Sequence, residues 1–120
     1  MIYFIRLENK FIKIGYSANP DERLKELQTG SPVKLHLQAT MNGCFKTEKG
    51  LHELFNHLRM KGEWFRYTDE LKMFIRVAKQ KPTANIKTLY SESQKLRIDI
   101  KANRLGKDHK LSKRLKIYEA

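Results

Sequence analysis

Two apolar segments near the N-terminus, followed at once by a helix signal, constrain this chain most. Residues 2–7 and 11–16 are rich in β-branched and aromatic side chains and are separated by three polar residues, a pattern that predicts a β-hairpin. Asn19 then provides a helix N-cap and Pro20 suits the first turn, so we expect a helix over residues 20–29. A hairpin that feeds directly into a helix would bring side chains from all three elements to one end of a small sheet.

The rest of the chain predicts further elements of both kinds. Alternation of apolar and polar residues over 33–40 predicts a third strand, and apolar positions three and four apart predict a helix from Phe45 to Met60. Residues 63–67 look like a short strand or extended segment, and Thr68 is expected to cap another helix. The predicted fold is α/β, more specifically α+β: a small three-stranded antiparallel sheet flanked by helices, with a basic helical C-terminal extension.

A change of composition near Pro82 predicts a boundary between a domain over residues 1–79 and the extension over residues 80–120. The chain carries 25 Lys and Arg against 13 Asp and Glu, a formal charge of +12. Residues 81–120 alone hold 11 of the basic and 4 of the acidic residues. Such a balance favours a polyanionic partner, above all nucleic acid, although a basic surface that merely keeps the protein soluble is the plain alternative.

The extension is expected to bind that nucleic acid. The alternative function of the extension is an arm for oligomerisation or for docking to a host protein. The basic residues assigned to phosphate contacts are Lys81, Lys87, Lys95, Arg97, Lys101, Arg104, Lys107, Lys110, Lys113 and Arg114.

Cysteine usage and hydropathy indicate the compartment. Cys44 is the only cysteine, so no internal disulfide can form, and a reducing setting is the simple interpretation. No run approaches the ~20 apolar residues of a membrane helix, and no secretory signal is evident. We expect a protein of the cytoplasm, in a bacterium or a phage-infected cell, with no membrane partner.

Short motifs along the first two thirds of the chain resemble the GIY-YIG nuclease superfamily. Ile-Tyr at residues 2–3 and Lys-Ile-Gly at 13–15 stand where its two tripeptides stand, and Arg23 lies on the next helix. A Glu-x-x-x-His pair at residues 48–52 and Gly-Glu-Trp-Phe at 62–65 are similar to a phage and bacterial branch of that superfamily. The resemblance covers about residues 1–76.

The resemblance implies a role for each matched residue. Tyr3 would activate or orient the attacking water, and Arg23 would bind the phosphate through two parallel hydrogen bonds. Glu48 would hold a divalent cation, Mg²⁺ or another such as Mn²⁺, because an ion that keeps several waters needs few protein ligands. His52, one helical turn after Glu48, would relay a proton or position the water.

Lys13 departs from the superfamily pattern, which has a tyrosine at that position. A lysine there could accept a proton and so assist Tyr3, or it could neutralise phosphate charge. Tyr16 is the candidate substitute for the absent tyrosine. Glu63 belongs to the Gly-Glu-Trp-Phe segment, and no step is assigned to it.

Each residue also has a structural explanation. A strand tyrosine is usually a core residue, a strand lysine is usually an edge charge, and Arg23 could simply pair with Glu26. Glu48 could be ordinary surface, and His52 could pack beside Trp64, which we expect in the core. The ordered conjunction of these residues favours the functional interpretation.

Zinc is a weaker alternative. The candidate ligands are Cys44, His36, His52 and His57, but the chain has no Cys-x-x-Cys pair and the spacings fit no standard structural site.

The sequence therefore predicts a metal-dependent endonuclease that hydrolyses phosphodiester bonds of nucleic acid, with DNA as the expected substrate. A nucleic-acid-binding module without catalysis is the alternative that Lys13 motivates. A protein-interaction adaptor that uses the extension is a third.

Overall fold

The computed structural model describes the backbone of residues 1–105 and the side chains of residues 1–102. The elements in chain order are β1 (Ile2–Leu7), β2 (Phe11–Tyr16), α1 (Pro20–Thr29), β3 (Leu35–Met41), α2 (Phe45–Leu54), a 3₁₀ turn (Asn56–Leu58), β4 (Arg59–Lys61), β5 (Trp64–Arg66), α3 (Asp69–Gln80) and α4 (Ile86–Leu105). The first hairpin and α1 have the predicted bounds. None of the helices within the described ranges is long and apolar enough to cross a membrane.

The five strands form one antiparallel sheet in the order β3-β1-β2-β5-β4. The predicted three-stranded sheet is therefore wrong: a second hairpin, β4–β5, extends the sheet beyond β2. The helix expected to continue to Met60 ends at Leu54, and the chain then turns back at Gly62, whose φ of 58° suits a tight hairpin loop. Residues 63–67, expected as a short strand or extended segment, contain β5, whereas β4 was not expected, because a strand of three residues is too short to show a period of two.

The two faces of the sheet are covered by different helices. On one face, Phe4, Ile12 and Ile14 are fully buried in the larger core, where Phe4 meets Phe74 of α3 edge-on with ring centres 6.3 Å apart. On the other face, Tyr3 and Ile5 form a smaller apolar cluster with residues of α1 and β3. Because neighbouring residues of a strand point to opposite faces, β1 contributes to both clusters, Ile2 and Phe4 to the larger and Tyr3 and Ile5 to the smaller.

Local capping explains where α1 begins. The Asn19 side chain accepts a hydrogen bond from the Glu22 amide at 3.3 Å, and Pro20 occupies the first turn. This is the cap that the sequence predicts. The helix packs on β3 and β1, with Leu24 and Leu27 against the smaller cluster.

The extension begins with α4, which packs on α2 and α3. Leu89 of α4 is fully buried in the larger core. Two ion pairs add to this contact: Lys81 with Glu92 at 2.8 Å and Arg97 with Glu70 at 3.6 Å. The predicted contacts at Lys107, Lys110, Lys113 and Arg114, and the side chain of Arg104, lie outside the described residues.

Candidate functional site

Tyr3 lies across Gly15 on the sheet face that α1 covers. The two residues are direct cross-strand partners, and Tyr3 is only 1% exposed. A Cβ at position 15 would overlap Oη and Cζ of Tyr3. Glycine at position 15 therefore allows the phenol ring to lie against β2, so Gly15 positions Tyr3. The sequence did not predict this role, which is evident only from the strand register.

Arg23, in the first turns of α1, approaches the Tyr3 hydroxyl. Burial raises the pKa of Tyr3 above its usual value, hydrogen bonding by the Arg23 guanidinium lowers it, and the Glu63 and Glu48 carboxylates raise it further. The net direction is upward, so the phenol is neutral at neutral pH. The pKa of Arg23 is also raised, first by Tyr3 and then by Glu26, whose carboxylate is 2.9 Å away.

Glu48, on α2, belongs with the charged side chains around Tyr3; this group of Tyr3, Arg23, Glu48 and Glu63 is here called the pocket. This helix begins after a capping box of Cys44 and Thr47, and Glu48 follows in the first turn, half-buried. Its carboxylate is close enough to Tyr3 to contribute to the raised pKa of the phenol. Within the described side chains, it makes no hydrogen bond or ion pair.

An unpaired carboxylate of this kind fits one mode of divalent-cation binding. Mg²⁺ keeps several waters and is often held by one or two carboxylates together with substrate phosphates. Among the residues that the structure describes, no group of three or more His, Cys, Asp or Glu could hold a metal ion. The residues present therefore suit an ion shared with the substrate rather than one enclosed by protein.

Lys13 points into the pocket region rather than into solvent. It pairs in register with Ile5 and Trp64, so its side chain emerges on the same face as Tyr3. That side chain is 12% exposed, and its ammonium lies 3.2 Å from a Glu63 carboxylate oxygen and 5.4 Å from the centre of the Trp64 ring. Lys13 is therefore not a solvated charge at the edge of the sheet, which is the usual structural explanation for a strand lysine.

His52 connects α2 to the edge of β2. Its Nε2 lies 2.7 Å from the Ile14 carbonyl oxygen, and because a carbonyl only accepts, Nε2 is the donor. Its ring also packs on Phe65, with centres 5.2 Å apart. This contact holds α2, and with it Glu48, against the sheet, so the geometry gives His52 a positioning role and engages Nε2, one of its two ring nitrogens.

Tyr16 does not join this arrangement. It follows Gly15 on β2, so its side chain emerges on the face opposite to the Tyr3 phenol. It is 44% exposed.

The zinc candidates also remain apart. The Nε2 of His57 is 2.8 Å from Glu70, His52 is bonded to the backbone of β2, and Cys44 is exposed at the start of α2. His36 lies on β3.

The basic residues of the extension fall into two groups. Lys81 and Arg97 are engaged by Glu92 and Glu70, which ties their charges to the fold. The remaining basic side chains of α4 that the structure describes are exposed and make no ion pair there: Lys87, Lys95 and Lys101.

A family model described as the T5orf172 domain matches residues 1–81. The match spans every strand, α1 to α3 and the whole pocket, and it ends before α4 begins. No curated protein and no solved structure matches the chain.

Proposed function

This chain belongs to the T5orf172 domain family, a nuclease-related family, and we propose that it is a GIY-YIG-type endonuclease that hydrolyses DNA with the help of a divalent cation. One observation carries the proposal: the Tyr3 side chain, which is 1% exposed, feels both the Arg23 guanidinium of α1 and the Glu48 carboxylate of α2, each of which shifts the pKa of the phenol. Phosphodiester hydrolysis needs a positioned water and stabilisation of the charge on the phosphate and the leaving oxygen, and a phenol, a guanidinium and a carboxylate with a bound cation can supply these.

Arg23 would bind the phosphate that is attacked. One of its terminal nitrogens faces Glu26 at 2.9 Å, which orients the guanidinium. A guanidinium has five N–H donors in a fixed fork, so donors remain for two phosphate oxygens. Negative charge that develops on those oxygens would be stabilised without any movement of the side chain.

Tyr3 would orient the attacking water. Its raised pKa keeps the proton on the phenol at neutral pH, so the oxygen can accept a hydrogen bond from water through a lone pair. Lys13, held by Glu63 on the same face, would place a positive charge beside the phosphate.

Glu48 would be the protein ligand of the divalent cation. When bound, such an ion neutralises phosphate charge and stabilises the leaving oxygen. The chain's own contribution is to keep the carboxylate at the pocket, which the His52 contact to β2 ensures.

The exposed lysines of α4 would add binding to the DNA backbone. Lys87, Lys95 and Lys101 lie beyond the family match, on a helix anchored to the nuclease body by Leu89. Contacts of this kind release counterions. The logarithm of the DNA-binding constant should therefore fall linearly with the logarithm of the salt concentration.

Cleavage by the purified chain tests the proposal. Labelled single-stranded, duplex and plasmid DNA would be incubated with MgCl₂ or with EDTA, and products resolved on denaturing gels. We expect cleavage only with the divalent cation, abolished in Glu48→Gln and retained in Glu53→Gln, which alters an exposed carboxylate on the same helix. Cleavage that persists in Glu48→Gln would remove this residue from the mechanism.

A nucleic-acid-binding module without catalysis is the second candidate, favoured by the lysine at position 13. It shares the salt-sensitive DNA binding but yields no product under any divalent cation. Binding without cleavage across all substrates and metals would therefore select it.

A further inference from the structure

A groove of about 460 Å³ opens beside the pocket, on the face of the sheet that α1 covers. Its apolar walls are Leu7, Leu27, Leu35 and Trp64, and residues 30–32 form its rim. This volume lies within the range of sites for small organic groups, about 300–1,000 Å³. The sequence predicts Trp64 as core, yet the ring is only half-buried and forms part of an open surface.

Hydrogen bonds fix the conformation of the loop that forms the rim of the groove. The Gln28 side chain donates to the Val33 carbonyl at 3.0 Å and accepts from the Leu35 amide at 2.7 Å. The Ser31 hydroxyl donates to the same Val33 carbonyl at 2.7 Å. A segment held by three such bonds does not need to rearrange before a ligand enters.

Two residues that line the groove, Trp64 and Glu26, contact Lys13 and Arg23. Trp64 is the cross-strand partner of Lys13, whose ammonium lies 5.4 Å from the indole centre. The acidic residue on the groove, Glu26, is paired with Arg23. An apolar, aromatic cleft beside two cations matches the chemistry of one nucleotide, with a flat base at one end and an anionic phosphate at the other.

We propose that this groove binds an unstacked nucleobase of the substrate strand, with Trp64 as the stacking platform. The inference rests on the proposed function, since it assigns a second part of the same substrate. A base inside a duplex must be unstacked before it enters, at an energetic cost that is least where the nucleotide is already unpaired. The protein should therefore prefer a strand with an unpaired nucleotide close to the cut.

Trp64 is the only tryptophan of the chain, so its fluorescence reports directly on the groove. The full-length protein would be titrated in EDTA, where no cleavage occurs, with a single-stranded oligonucleotide. Binding would be followed by the anisotropy of a labelled copy of the same oligonucleotide. We expect tryptophan emission to be quenched and to saturate at the same DNA concentration as the anisotropy, and a duplex of equal length to quench less.

Single abasic positions would then be placed along the oligonucleotide. One position should weaken binding about 5- to 150-fold, the range for loss of one base–aromatic stack, and should also reduce the quenching. Abasic sites at the neighbouring positions should weaken binding much less.

Tyr67 provides a matched control for Trp64. Its half-buried ring also lies beneath a lysine, with the Lys72 ammonium 5.0 Å from its centre, but it packs in the larger core on the opposite face. Trp64→Leu should bind intact and abasic oligonucleotides equally well. Tyr67→Leu should keep the wild-type difference.

The remaining outcomes separate the inference from the proposed function. Anisotropy that saturates without any change in tryptophan emission overturns the groove assignment alone, as does equal quenching by single strands and duplex. Absence of DNA binding at low salt overturns both. Emission that changes with protein concentration in the absence of DNA would assign the groove to a second copy of the chain and also refute the inference.

Discussion

Gly15→Ala should disable the pocket while the fold survives. The added methyl group would occupy the space of Oη and Cζ of Tyr3, and the ring is fully buried, so it cannot swing into solvent. Overpacking by one methyl group costs about 1–3 kcal/mol, and each kcal/mol lowers the Tm by roughly 4–8 °C in a domain of this size. The ring must shift relative to Arg23, and a displacement near 1 Å can lower a rate about 10²-fold.

The two effects are measured separately. Thermal unfolding by circular dichroism gives the stability loss, and single-turnover cleavage at 25 °C, where the variant remains folded, gives the rate. Gly30→Ala is the stability control, because its Cβ would meet only the Leu27 carbonyl at 3.9 Å; its Tm should be unchanged or slightly raised. A Gly15→Ala protein with the Tm and the cleavage rate of the wild type would refute the claim that Gly15 positions Tyr3.

Three further predictions concern other contacts of the fold. Lys13→Met should reduce single-turnover cleavage about 10²-fold while changing DNA affinity, measured by anisotropy, much less; equal losses would make Lys13 a binding residue only. Because the folded state raises the pKa of Tyr3, the unfolded chain ionises first, so stability in urea should fall as pH rises past about 10. Tyr3→Phe should lack this component of the alkaline loss, and an identical pH dependence would contradict it. Arg97→Gln, which leaves the Glu70–His57 contact intact, should weaken docking of α4 by about 0.2–1 kcal/mol, because the pair of Arg97 with Glu70 is lost; unchanged hydrogen exchange along α4 would show that the pair contributes nothing.

Local signals were enough to predict the elements that carry the candidate site. The first hairpin and α1 are specified by apolar runs, a cap at Asn19 and a proline in the first turn, all readable within a few residues. Even the sharing of one face by Tyr3 and Lys13 follows from hairpin register. For such elements, short-range propensity and tertiary structure agree.

Features that depend on distant contacts were not predictable. A short strand over residues 63–67 was expected, but its pairing through Trp64–Arg66 with the edge of β2 was not, and β4 is too short to show periodicity. The half-exposure of Trp64 depends on where α1 ends and how Gln28 holds the following loop. Arg97 resembled a phosphate contact, but its partner Glu70 lies on another helix.

The single-turnover cleavage rate of Tyr3→Phe at saturating DNA and Mg²⁺ is the most direct test of the proposed active site. This change removes one oxygen atom from a buried ring. If that oxygen orients the attacking water, the rate should drop about 10²-fold, the loss expected when a reacting group is misplaced by about 1 Å, while DNA affinity stays at the wild-type value. A Tyr3→Phe protein that cuts as fast as the wild type would contradict the assignment of this pocket as the reactive centre.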